Sequence, residues 1–361
     1  MSSEKRIGVL TSGGDCPGLN AVIYGVVRAA NNLNWKVIGF RDGYEGLIEP
    51  GGNYVNLDHF TTTGIVHLGG TILGTTNRGN FNARSKGKKS LHIPNEIIQK
   101  ARKTIDELGL EGIVAIGGDG SLSTALYLHK KGFPIVGVPK TIDNDLDATS
   151  ITFGFDSAVA CVTESLDRLH TTAESHKRVM ILEVMGRHAG WIALYGGLAG
   201  GADIILIPEI PFDYDAILKT IHERDKTSSK STMIVVAEGA TPLKGKQQHY
   251  AISKGEYRLG GIGNRVASEI RKGCKKDVRV CVLGHLQRGG PPTMQDRILG
   301  TRFGVKAIQL LKEKKFGSMV SYKNDLVTSV PLFDAVNQLR RVKPDDQVLD
   351  AARSVGIVFG N

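Results

Sequence analysis

Two glycine-rich segments have residue types that suit phosphate and metal chemistry. Residues Thr11–Asn20 read TSGGDCPGLN, and paired glycines let backbone N–H groups approach an anion closely. Residues Gly117–Ser121 read GGDGS, with the single carboxylate of Asp119 among three glycines. Such a loop can admit a polyphosphate while the carboxylate holds Mg2+ against it. The pattern favours a phosphate site, although a ligand-free glycine turn, or an Asp119 that only caps the next helix, has the same appearance.

A third segment, Pro139–Asp145, reads PKTIDND and carries two carboxylates, Asp143 and Asp145, with Lys140 close by. Two acids at this spacing can divide the work between accepting a proton and binding metal or water. A turn built from Asp and Asn is the structural alternative. The position of this segment, one predicted strand after GGDGS, favours the chemical interpretation.

Further along the chain, arginine, histidine and glutamate residues follow several predicted strands. Forked arginine donors match the geometry of phosphate, and glutamate can accept hydrogen bonds from sugar hydroxyls. Each arginine taken singly is more often a surface ion-pair partner, but together the set indicates a site for a phosphorylated polyol. The segments are Ser175–Arg178, Glu183–Arg187, Ala237–Gly239, Arg279 and Leu283–Gly290.

The elements that must position these segments are short β-branched runs alternating with helical patterns. Runs with few charges are typical of strands buried on both faces of a parallel sheet, and the alternation predicts α/β layering. In such sheets the loops at the carboxyl ends of the strands line the ligand crevice. The predicted strands are Ile7–Leu10, Lys36–Phe40, Ile113–Ile116, Pro134–Val138, Val179–Val184, Ile204–Ile207, Met233–Ala237 and Val278–Leu283.

One helix is predicted from its own pattern. Pro94 suits a helix start and Gly109 a helix end, and the residues between them place apolar side chains on one face. The apolar stripe comprises Ile97, Ile98, Ala101, Ile105 and Leu108. A second helix is expected over Ala21–Ala30, directly after the first glycine-rich segment.

Length and composition indicate a globular protein with a sizeable core. At about 150 residues per domain, 361 residues suggest two domains or one large divided domain. The hydrophobic fraction of 41% and charged fraction of 23% are ordinary, so disorder and collagen-like repeats are excluded. No Gly/Ser-rich or Pro-rich linker separates the two predicted domains, so we expect chain segments to cross between them.

The charge distribution and the absence of several motifs disfavour nucleic-acid-binding, membrane and secreted proteins. The formal net charge is +10, but the basic runs Arg84–Lys89 and Arg271–Lys276 are short and lack aromatic neighbours, which disfavours nucleic acid. No apolar run approaches the roughly 20 residues that span a bilayer, and no signal peptide precedes the first strand. Four cysteines without metal-binding spacing fit reduced thiols in the cytoplasm. Neither the dinucleotide fingerprint nor the P-loop occurs.

Taken together, the segments resemble those of the 6-phosphofructokinase family along nearly the whole chain. Five of them occur in the family's order and approximate spacing: Thr11–Asn20, Gly117–Ser121, Pro139–Asp145, Glu183–Arg187 and Gly284–Gly290. GGDG alone also occurs in NAD and lipid kinases, which lack the TIDND and GHLQRGG segments. A kinase of that kind, or a regulatory binding protein that has lost catalysis, is the remote alternative.

The resemblance implies a phosphofructokinase fold of two Rossmann-like, doubly wound lobes with mainly parallel sheets. Residues 1–154 and 287–337 would form the lobe that binds the phosphoryl donor. Residues 155–286 and 338–361 would form the lobe that binds fructose 6-phosphate.

It also implies an activity, the Mg2+-dependent transfer of the γ-phosphoryl group of ATP to the 1-hydroxyl of fructose 6-phosphate in glycolysis. By motif match, Asp143 is the base that takes the hydroxyl proton, with Thr141 beside it and Asp145 supporting the metal region. Arg187 joins these catalytic residues, and Arg78 is the candidate for stabilising the transferring phosphoryl group.

The binding residues follow from the same match. Asp119 is the Mg2+ ligand, and the donor site comprises Gly13, Gly14, Arg78, Gly79, Gly118, Asp119, Gly120 and Ser121. The sugar-phosphate site comprises Thr141, Ile142, Asp143, Arg178, Met185, Gly186, Arg187, Glu238, Arg279, His285, Leu286, Gln287 and Arg288. Arg178 and Arg279 match arginines that reach the 6-phosphate in a neighbouring subunit, which implies a homo-oligomer, typically a tetramer.

Two residues bear on the identity of the donor, and they disagree. Gly120 is the small residue of ATP-using members, where many pyrophosphate users carry Asp. Lys140 is typical of pyrophosphate enzymes and replaces the glycine of the simplest bacterial ATP enzymes. ATP is favoured, because a carboxylate at position 120 would repel and crowd the α-phosphate of a nucleotide, whereas an added lysine can coexist with ATP. Pyrophosphate is the alternative donor.

Overall fold

The computed structural model describes residues 4–49, 51–76, 78–82, 92–227, 230–253, 256–336 and 338–361. The chain divides into two compact units. The first unit comprises residues 1–142, 146–156 and 288–339, and the second comprises residues 143–145, 157–287 and 340–361. Each unit is therefore built from three separate stretches of the chain.

The strands in chain order are β1 (Arg6–Ser12), β2 (Lys36–Phe40), β3 (Tyr54–Leu57), β4 (Leu110–Gly117), β5 (Ile135–Pro139), β6 (Val179–Val184), β7 (Ile204–Leu206), β8 (Thr232–Ala237), β9 (His249–Ser253), β10 (Glu256–Leu259), β11 (Val278–Val282), β12 (Ser318–Lys323) and β13 (Leu326–Pro331). The helices are α1 (Leu19–Asn31), α2 (Asn95–Leu108), α3 (Asp119–Lys130), α4 (Phe155–His176), α5 (Trp191–Ala199), α6 (Tyr214–Arg224), α7 (Ile262–Gly273), α8 (Met294–Lys312), α9 (Leu332–Val336) and α10 (Gln347–Ser354).

The first unit contains a seven-stranded sheet in the order β13-β12-β5-β4-β1-β2-β3. Its central strands run parallel, while β3 and β13 pair antiparallel at the two edges. The central strands are apolar and buried because helices cover both faces of such a sheet. From Ile7 to Ser12, for example, every residue of β1 is buried.

Helix α2 confirms its sequence prediction. It runs from Asn95 to Leu108, Pro94 is its N-cap residue, and Gly109 ends it in the left-handed conformation at φ 61°. Glycine is favoured at this position because it adopts positive φ without steric cost. The apolar stripe packs into the core of the first unit.

The second unit contains a four-stranded parallel sheet in the order β11-β6-β8-β7 and a separate antiparallel pair, β9 and β10. Strands β6 and β8 are buried throughout. Their apolar side chains pack against α6 and α7, where Ile217, Ile221, Val266 and Ile270 are buried. The prediction of α/β layering with mainly parallel sheets is confirmed.

Five strands were absent from the sequence prediction: β3, β9, β10, β12 and β13. All five take part in antiparallel pairing, and none is a long apolar run. Within the described ranges, no helix is long and apolar enough to cross a membrane. The four cysteines are free thiols.

Candidate active site

The three segments predicted to bind phosphate and metal leave neighbouring strands of the first sheet. In the register of that sheet, Ser12 of β1 pairs with Gly117 of β4, and Gly117 pairs with Pro139 of β5. The strands are parallel, so their carboxyl ends meet at one edge. The three segments therefore begin at neighbouring strand ends of the first unit.

The first glycine-rich loop is hydrogen-bonded to Thr75 and Thr76. The N–H of Gly13 donates to the carbonyl of Thr76 at 3.0 Å, and the Thr75 hydroxyl donates to the carbonyl of Gly13 at 2.7 Å. Gly13 has φ 85°, a conformation that costs glycine little and other residues more. Helix α1 begins at Leu19, so its N-terminal dipole follows this loop closely.

Lys140 lies beneath the same loop. Its side chain is 4% exposed, and its ammonium group donates to the carbonyl of Gly14. Its backbone N–H donates to the carbonyl of Gly117 at 2.9 Å. One residue thus joins all three segments, because it follows β5 directly and contacts the loops after β1 and β4.

The GGDGS loop leads directly into α3. The N-cap residue is Gly118 and Asp119 is the first helical residue, so the alternative in which Asp119 is the N-cap is wrong. A Cβ atom at Gly120 would have no heavy atom within 4 Å, which leaves open space above the loop. Ser121 is buried, and its hydroxyl lies 3.1 Å from where a Cβ at Gly13 would stand.

Arg78 and Gly79 belong to the first unit and lie close to the glycine loop along the chain segment that Thr76 anchors. The N–H of Arg78 donates to the Thr76 hydroxyl at 3.1 Å, and the side chain of Arg78 is exposed. Gly79 lies against Glu45, whose carboxylate accepts the N–H of Asn80 at 2.6 Å.

Arg288 also belongs to the first unit, although the sequence prediction assigns it to the sugar-phosphate site. Its Nη1 donates to the carbonyl of Asp15 at 3.0 Å and lies 3.0 Å from where a Cβ at Gly14 would stand. The guanidinium therefore braces the first glycine loop from the side. Its contact with a sugar phosphate stays a prediction.

Burial raises the pKa of two side chains near these loops, Cys16 and Tyr44. Cys16 is fully buried in the first loop, and burial raises the pKa of its thiol to about 12. Tyr44 is buried as well; its hydroxyl donates to the carbonyl of Ser121 at 2.8 Å, and burial raises its pKa. Neither group ionises near neutral pH, so both act as neutral packing partners of the site.

The predicted acidic turn spans the division between the units. Thr141 and Ile142 belong to the first unit, where the Thr152 hydroxyl donates to the carbonyl of Thr141 at 2.7 Å. Residues 143–145 belong to the second unit, in which Asp143 and Asp145 are half-buried. Asn144 between them has φ 50°, so the segment does form a turn with a left-handed residue.

In the second unit, four of the residues predicted to bind the sugar phosphate, Met185, Gly186, Arg187 and Glu238, follow two adjacent strand ends. Strands β6 and β8 are parallel, and past their ends the Gly239 N–H donates to the carbonyl of Gly186 at 3.1 Å. Gly186 has φ 133°, and a Cβ there would stand 2.8 Å from the carbonyl oxygen of Ala189, so this position requires glycine. Met185, Arg187 and Glu238 are held on these two connected loops.

The GHLQR segment forms a 3-10 turn, residues Gly284–Arg288, just after β11. His285 and Leu286 are exposed, whereas Gln287 is 1% exposed. The Gln287 carboxamide accepts from the Met185 N–H at 3.2 Å and donates to the carbonyl of Gly284 at 3.1 Å. Its contacts are those of a residue that holds the Met185 loop.

Glu183, the last but one residue of β6, is a buried carboxylate with two backbone partners. Its oxygens accept the N–H groups of Gly261 and Gly263, both at 2.8 Å. These N–H groups belong to the start of α7. A carboxylate is favourable there because the first N–H groups of a helix have no partner within the helix and because the helix dipole is positive at this end. The strand that leads to Met185 is thereby fixed to α7.

Arg178 and Arg279 meet on one carboxylate. Nε of Arg178 lies 2.8 Å, and Nη2 of Arg279 lies 3.0 Å, from Oδ2 of Asp277. The Arg178 side chain is largely covered, and that of Arg279 is 57% exposed. The sequence prediction paired these two arginines by family match, and Asp277 is the residue that it missed.

Three other residues that contact these loops were not singled out from the sequence, although Glu183 lies in one of the matched segments. Thr75 and Tyr44 act through single hydrogen bonds to backbone, and Glu183 carried no mark that distinguished it from the rest of its segment. Among the described residues, no three or more His, Cys, Asp or Glu side chains form a group that could hold a metal ion by themselves.

Comparisons with known proteins identify relatives along nearly the whole chain. The phosphofructokinase family profile matches residues 6–311. The chain is 51% identical over 360 residues to a protein of Chloroflexus aggregans named ATP-dependent 6-phosphofructokinase, covering 100% of this chain and 99% of that protein. It is 44% identical over 367 residues to ATP-dependent 6-phosphofructokinase 2 of Clostridium perfringens, covering 100% of both.

A solved structure extends the likeness to the fold. Phosphofructokinase of Pichia pastoris in the T-state superposes with a TM-score of 0.80 at 30% identity, covering 99% of this chain. This chain spans 37% of the length of that fungal chain. On the match of the family profile, the full-length relatives and the fold, the chain belongs to the phosphofructokinase family.

Proposed function

We propose that the protein is an ATP-dependent 6-phosphofructokinase, which transfers the γ-phosphoryl group of ATP to the 1-hydroxyl of D-fructose 6-phosphate and yields fructose 1,6-bisphosphate in glycolysis. The observation that carries the proposal is the alignment of Ser12, Gly117 and Pro139 at adjacent strand ends, each followed by a segment suited to phosphate or proton chemistry. The donor and acceptor are those named for the full-length relatives.

On this proposal the first unit binds the donor. Gly13, Gly14 and Gly118 have no side chain to keep the phosphates away from the backbone, and Ser121 adds a hydroxyl at the start of α3. Arg78 neutralises charge on the transferring group, because phosphoryl transfer depends on positioning and electrostatic stabilisation more than on covalent catalysis.

The donor set fits a Mg2+ ion at Asp119. Mg2+ is usually held by one or two carboxylates together with substrate phosphates and waters, so a single carboxylate beside a glycine loop is sufficient. The open space above Gly120 leaves room for the phosphates that would complete the coordination. When bound, the ion would reduce the negative charge that an incoming hydroxyl oxygen meets.

Most of the acceptor residues belong to the second unit, whereas Thr141, Ile142 and Arg288 belong to the first. Asp143 accepts the proton of the sugar 1-hydroxyl while the hydroxyl oxygen forms a bond to the γ-phosphorus of ATP. The bond between the γ-phosphorus and the β,γ-bridging oxygen breaks, and ADP leaves. Arg187, with Thr141 and Asp145, completes the catalytic group. The sugar-phosphate ligands are the remaining residues of the predicted site: Ile142, Met185, Gly186, Glu238, His285, Leu286, Gln287 and Arg288.

The choice of ATP over pyrophosphate rests on Gly120 and Lys140. A Cβ atom at Gly120 would meet no heavy atom within 4 Å, so the α-phosphate of a nucleotide has space there. The Lys140 ammonium is engaged beneath the loop with the carbonyl of Gly14, so its charge supports the loop without filling the space above Gly120. Both observations are compatible with a nucleotide donor.

Assembly is the remaining part of the proposal. Arg178 and Arg279, both held by Asp277, would reach the 6-phosphate of fructose 6-phosphate bound to a neighbouring subunit, in a homotetramer with shared sites. The enzyme would act in the cytoplasm, with no role for nucleic acid or membranes.

The test is an assay of fructose 1,6-bisphosphate formation with Mg-ATP, Mg-pyrophosphate and Mg-ADP as alternative donors. Mg-ATP should support the highest initial rate. Turnover with pyrophosphate alone would contradict the donor assignment and leave the acceptor chemistry standing. Failure of all three donors to give product from fructose 6-phosphate would overturn the proposed activity.

A further inference from the structure

The turn that carries Asp143 is held by an arginine far away in the sequence. Arg340 donates its backbone N–H to the carbonyl of Asp145 at 2.9 Å, and its Nη1 donates to the carbonyl of Asn144 at 3.3 Å. All of these residues belong to the second unit. One residue therefore fixes two consecutive carbonyl groups directly after Asp143.

The Arg340 side chain is itself held in place by Trp191. The guanidinium carbon lies 4.1 Å from the centroid of the indole ring, within the range of a cation–π contact. The indole N–H donates to the carbonyl of Arg340 at 3.1 Å. Stacking restricts the planar guanidinium, so less freedom is lost when its N–H group meets the Asn144 carbonyl.

The half-buried carboxylate of Glu209 binds the backbone next to both partners of this stack. Glu209 accepts the N–H of Gly190 at 3.0 Å and the N–H of Val342 at 3.0 Å. Gly190 directly precedes Trp191, and Val342 lies two residues after Arg340. Burial raises the pKa of Glu209, whereas the N–H donors of Val342 and Gly190 act in the opposite direction because they stabilise the charged carboxylate.

The held segment needs support because of its backbone conformation. Asn144 has φ 50°, a region that L-residues other than glycine adopt at a cost, and it is 3% exposed. Its carbonyl requires a partner away from water, and the direction of that carbonyl fixes the peptide that follows. Movement at Asn144 would re-aim the carboxylate of Asp143, the preceding residue.

We propose that Arg340 is a positioning residue for catalysis: it fixes the Asp143–Asp145 turn through two backbone carbonyls and so sets the direction of the Asp143 carboxylate. The inference rests on the proposed role of Asp143 as base. Arg340 acts through the backbone of the turn and not by contact with a reacting atom. A displacement of about 1 Å in a catalytic group can cost about 100-fold in rate, so the effect should be large.

The test uses Arg340→Met, which keeps an unbranched apolar side chain and removes the guanidinium that donates to the Asn144 carbonyl, and Arg340→Lys, which keeps a cation over Trp191. We expect Arg340→Met to lower kcat roughly 10- to 100-fold while KM for ATP stays within about twofold. Arg340→Lys should recover part of the loss. Arg353→Met is the matched control, because Arg353 also stacks on a ring of the second unit, that of Phe359 at 5.6 Å, and should leave kcat unchanged.

A double-mutant cycle separates positioning from general damage. If Arg340 acts through Asp143, then Arg340→Met should change kcat by less than about threefold in the Asp143→Ser background. An equal loss in both backgrounds would overturn the inference. Near-normal turnover of Asp143→Ser alone would instead remove Asp143 from the role of base, which is a failure of the proposed function.

Tryptophan fluorescence tests the contact between Arg340 and Trp191 independently of enzyme activity. In a Trp35→Phe background Trp191 is the single tryptophan, and Arg340→Met should change its emission while circular dichroism and the thermal midpoint stay close to those of the parent. Unchanged emission would contradict the stack and the inference with it. If Arg340→Met fails to fold, the Arg340→Lys variant takes its place in the cycle, and additive losses there overturn the proposal.

Discussion

The carboxamide oxygen of Gln287 accepts a hydrogen bond from the backbone N–H of Met185 at 3.2 Å, across 102 residues of sequence. The sequence prediction grouped the two as ligands of one sugar phosphate. The contact adds a physical reason for their proximity, because Gln287 is buried and joins the loop after β6 to the turn after β11.

Replacing Gln287 with Leu should therefore weaken sugar-phosphate binding. The change leaves the Met185 N–H and the Gly284 carbonyl, both half-buried, without the Gln287 carboxamide, at a cost of about 1 kcal/mol for each lost hydrogen bond. We expect KM for fructose 6-phosphate to rise roughly tenfold or more, and KM for ATP to stay the same, in steady-state kinetics. Gln338→Leu is the control, because Gln338 is exposed and binds Asp147. An unchanged KM for the sugar phosphate in Gln287→Leu would refute the assignment.

Replacing Asp143 with Ser should leave the fold intact and lower turnover roughly 10²- to 10⁴-fold, the usual contribution of a general base. The fold should persist because Asp143 lies in a half-buried turn and outside the apolar core. Initial rates and circular dichroism measure the two effects. Asp147→Ser, in the same stretch of chain, is the control and should keep near-normal turnover. Normal turnover in Asp143→Ser would remove this residue from proton transfer.

At position 120 we compare two substitutions that differ in charge. Gly120→Ala fits the open space beside the loop and should change kcat/KM for ATP only slightly. Gly120→Asp adds a negative charge near the phosphates, and repulsion of about 1–4 kcal/mol at 4 Å predicts a loss of roughly tenfold or more. Initial rates at fixed Mg2+ with ATP and with pyrophosphate would measure the effect. Equal kcat/KM for ATP in the two variants would show that the site does not sense charge at position 120.

Burial of Cys16 should make unfolding depend on alkaline pH. Its pKa is raised from 9.0 to about 12 in the folded protein, so above pH 9 the unfolded chain releases a proton that the folded chain retains. The free energy of unfolding therefore falls as pH rises from about 9 toward 12, by at most about 1.4 kcal/mol per pH unit from this group. Denaturant unfolding of the native protein and of Cys16→Ala at pH 8, 9 and 10 measures the difference between them. Parallel pH dependences would contradict the burial of the thiol.

Strands could be predicted from sequence where they lie inside a parallel sheet. Strands β2 and β6 have the predicted bounds, because their apolar runs reflect burial on both faces. Strands β12 and β13 were missed, since they form an antiparallel pair with partly exposed residues. The turn between them carries Asn324 and Asp325, both with positive φ, which is a hairpin signal that the sequence does contain.

The sequence by itself determined which loops of this protein are candidates for phosphate and proton chemistry, because glycines, a lone aspartate and the TIDND turn are local patterns. Only the tertiary structure decided what holds those loops. Glu183 reaches the start of α7 across 78 residues, and Arg340 reaches Asn144 across 196. Such contacts join single side chains to distant backbone groups. The physical reason they leave no local pattern is that a hydrogen-bond partner is fixed by where the chain returns after folding, and any buried polar side chain of suitable length could fill the same place.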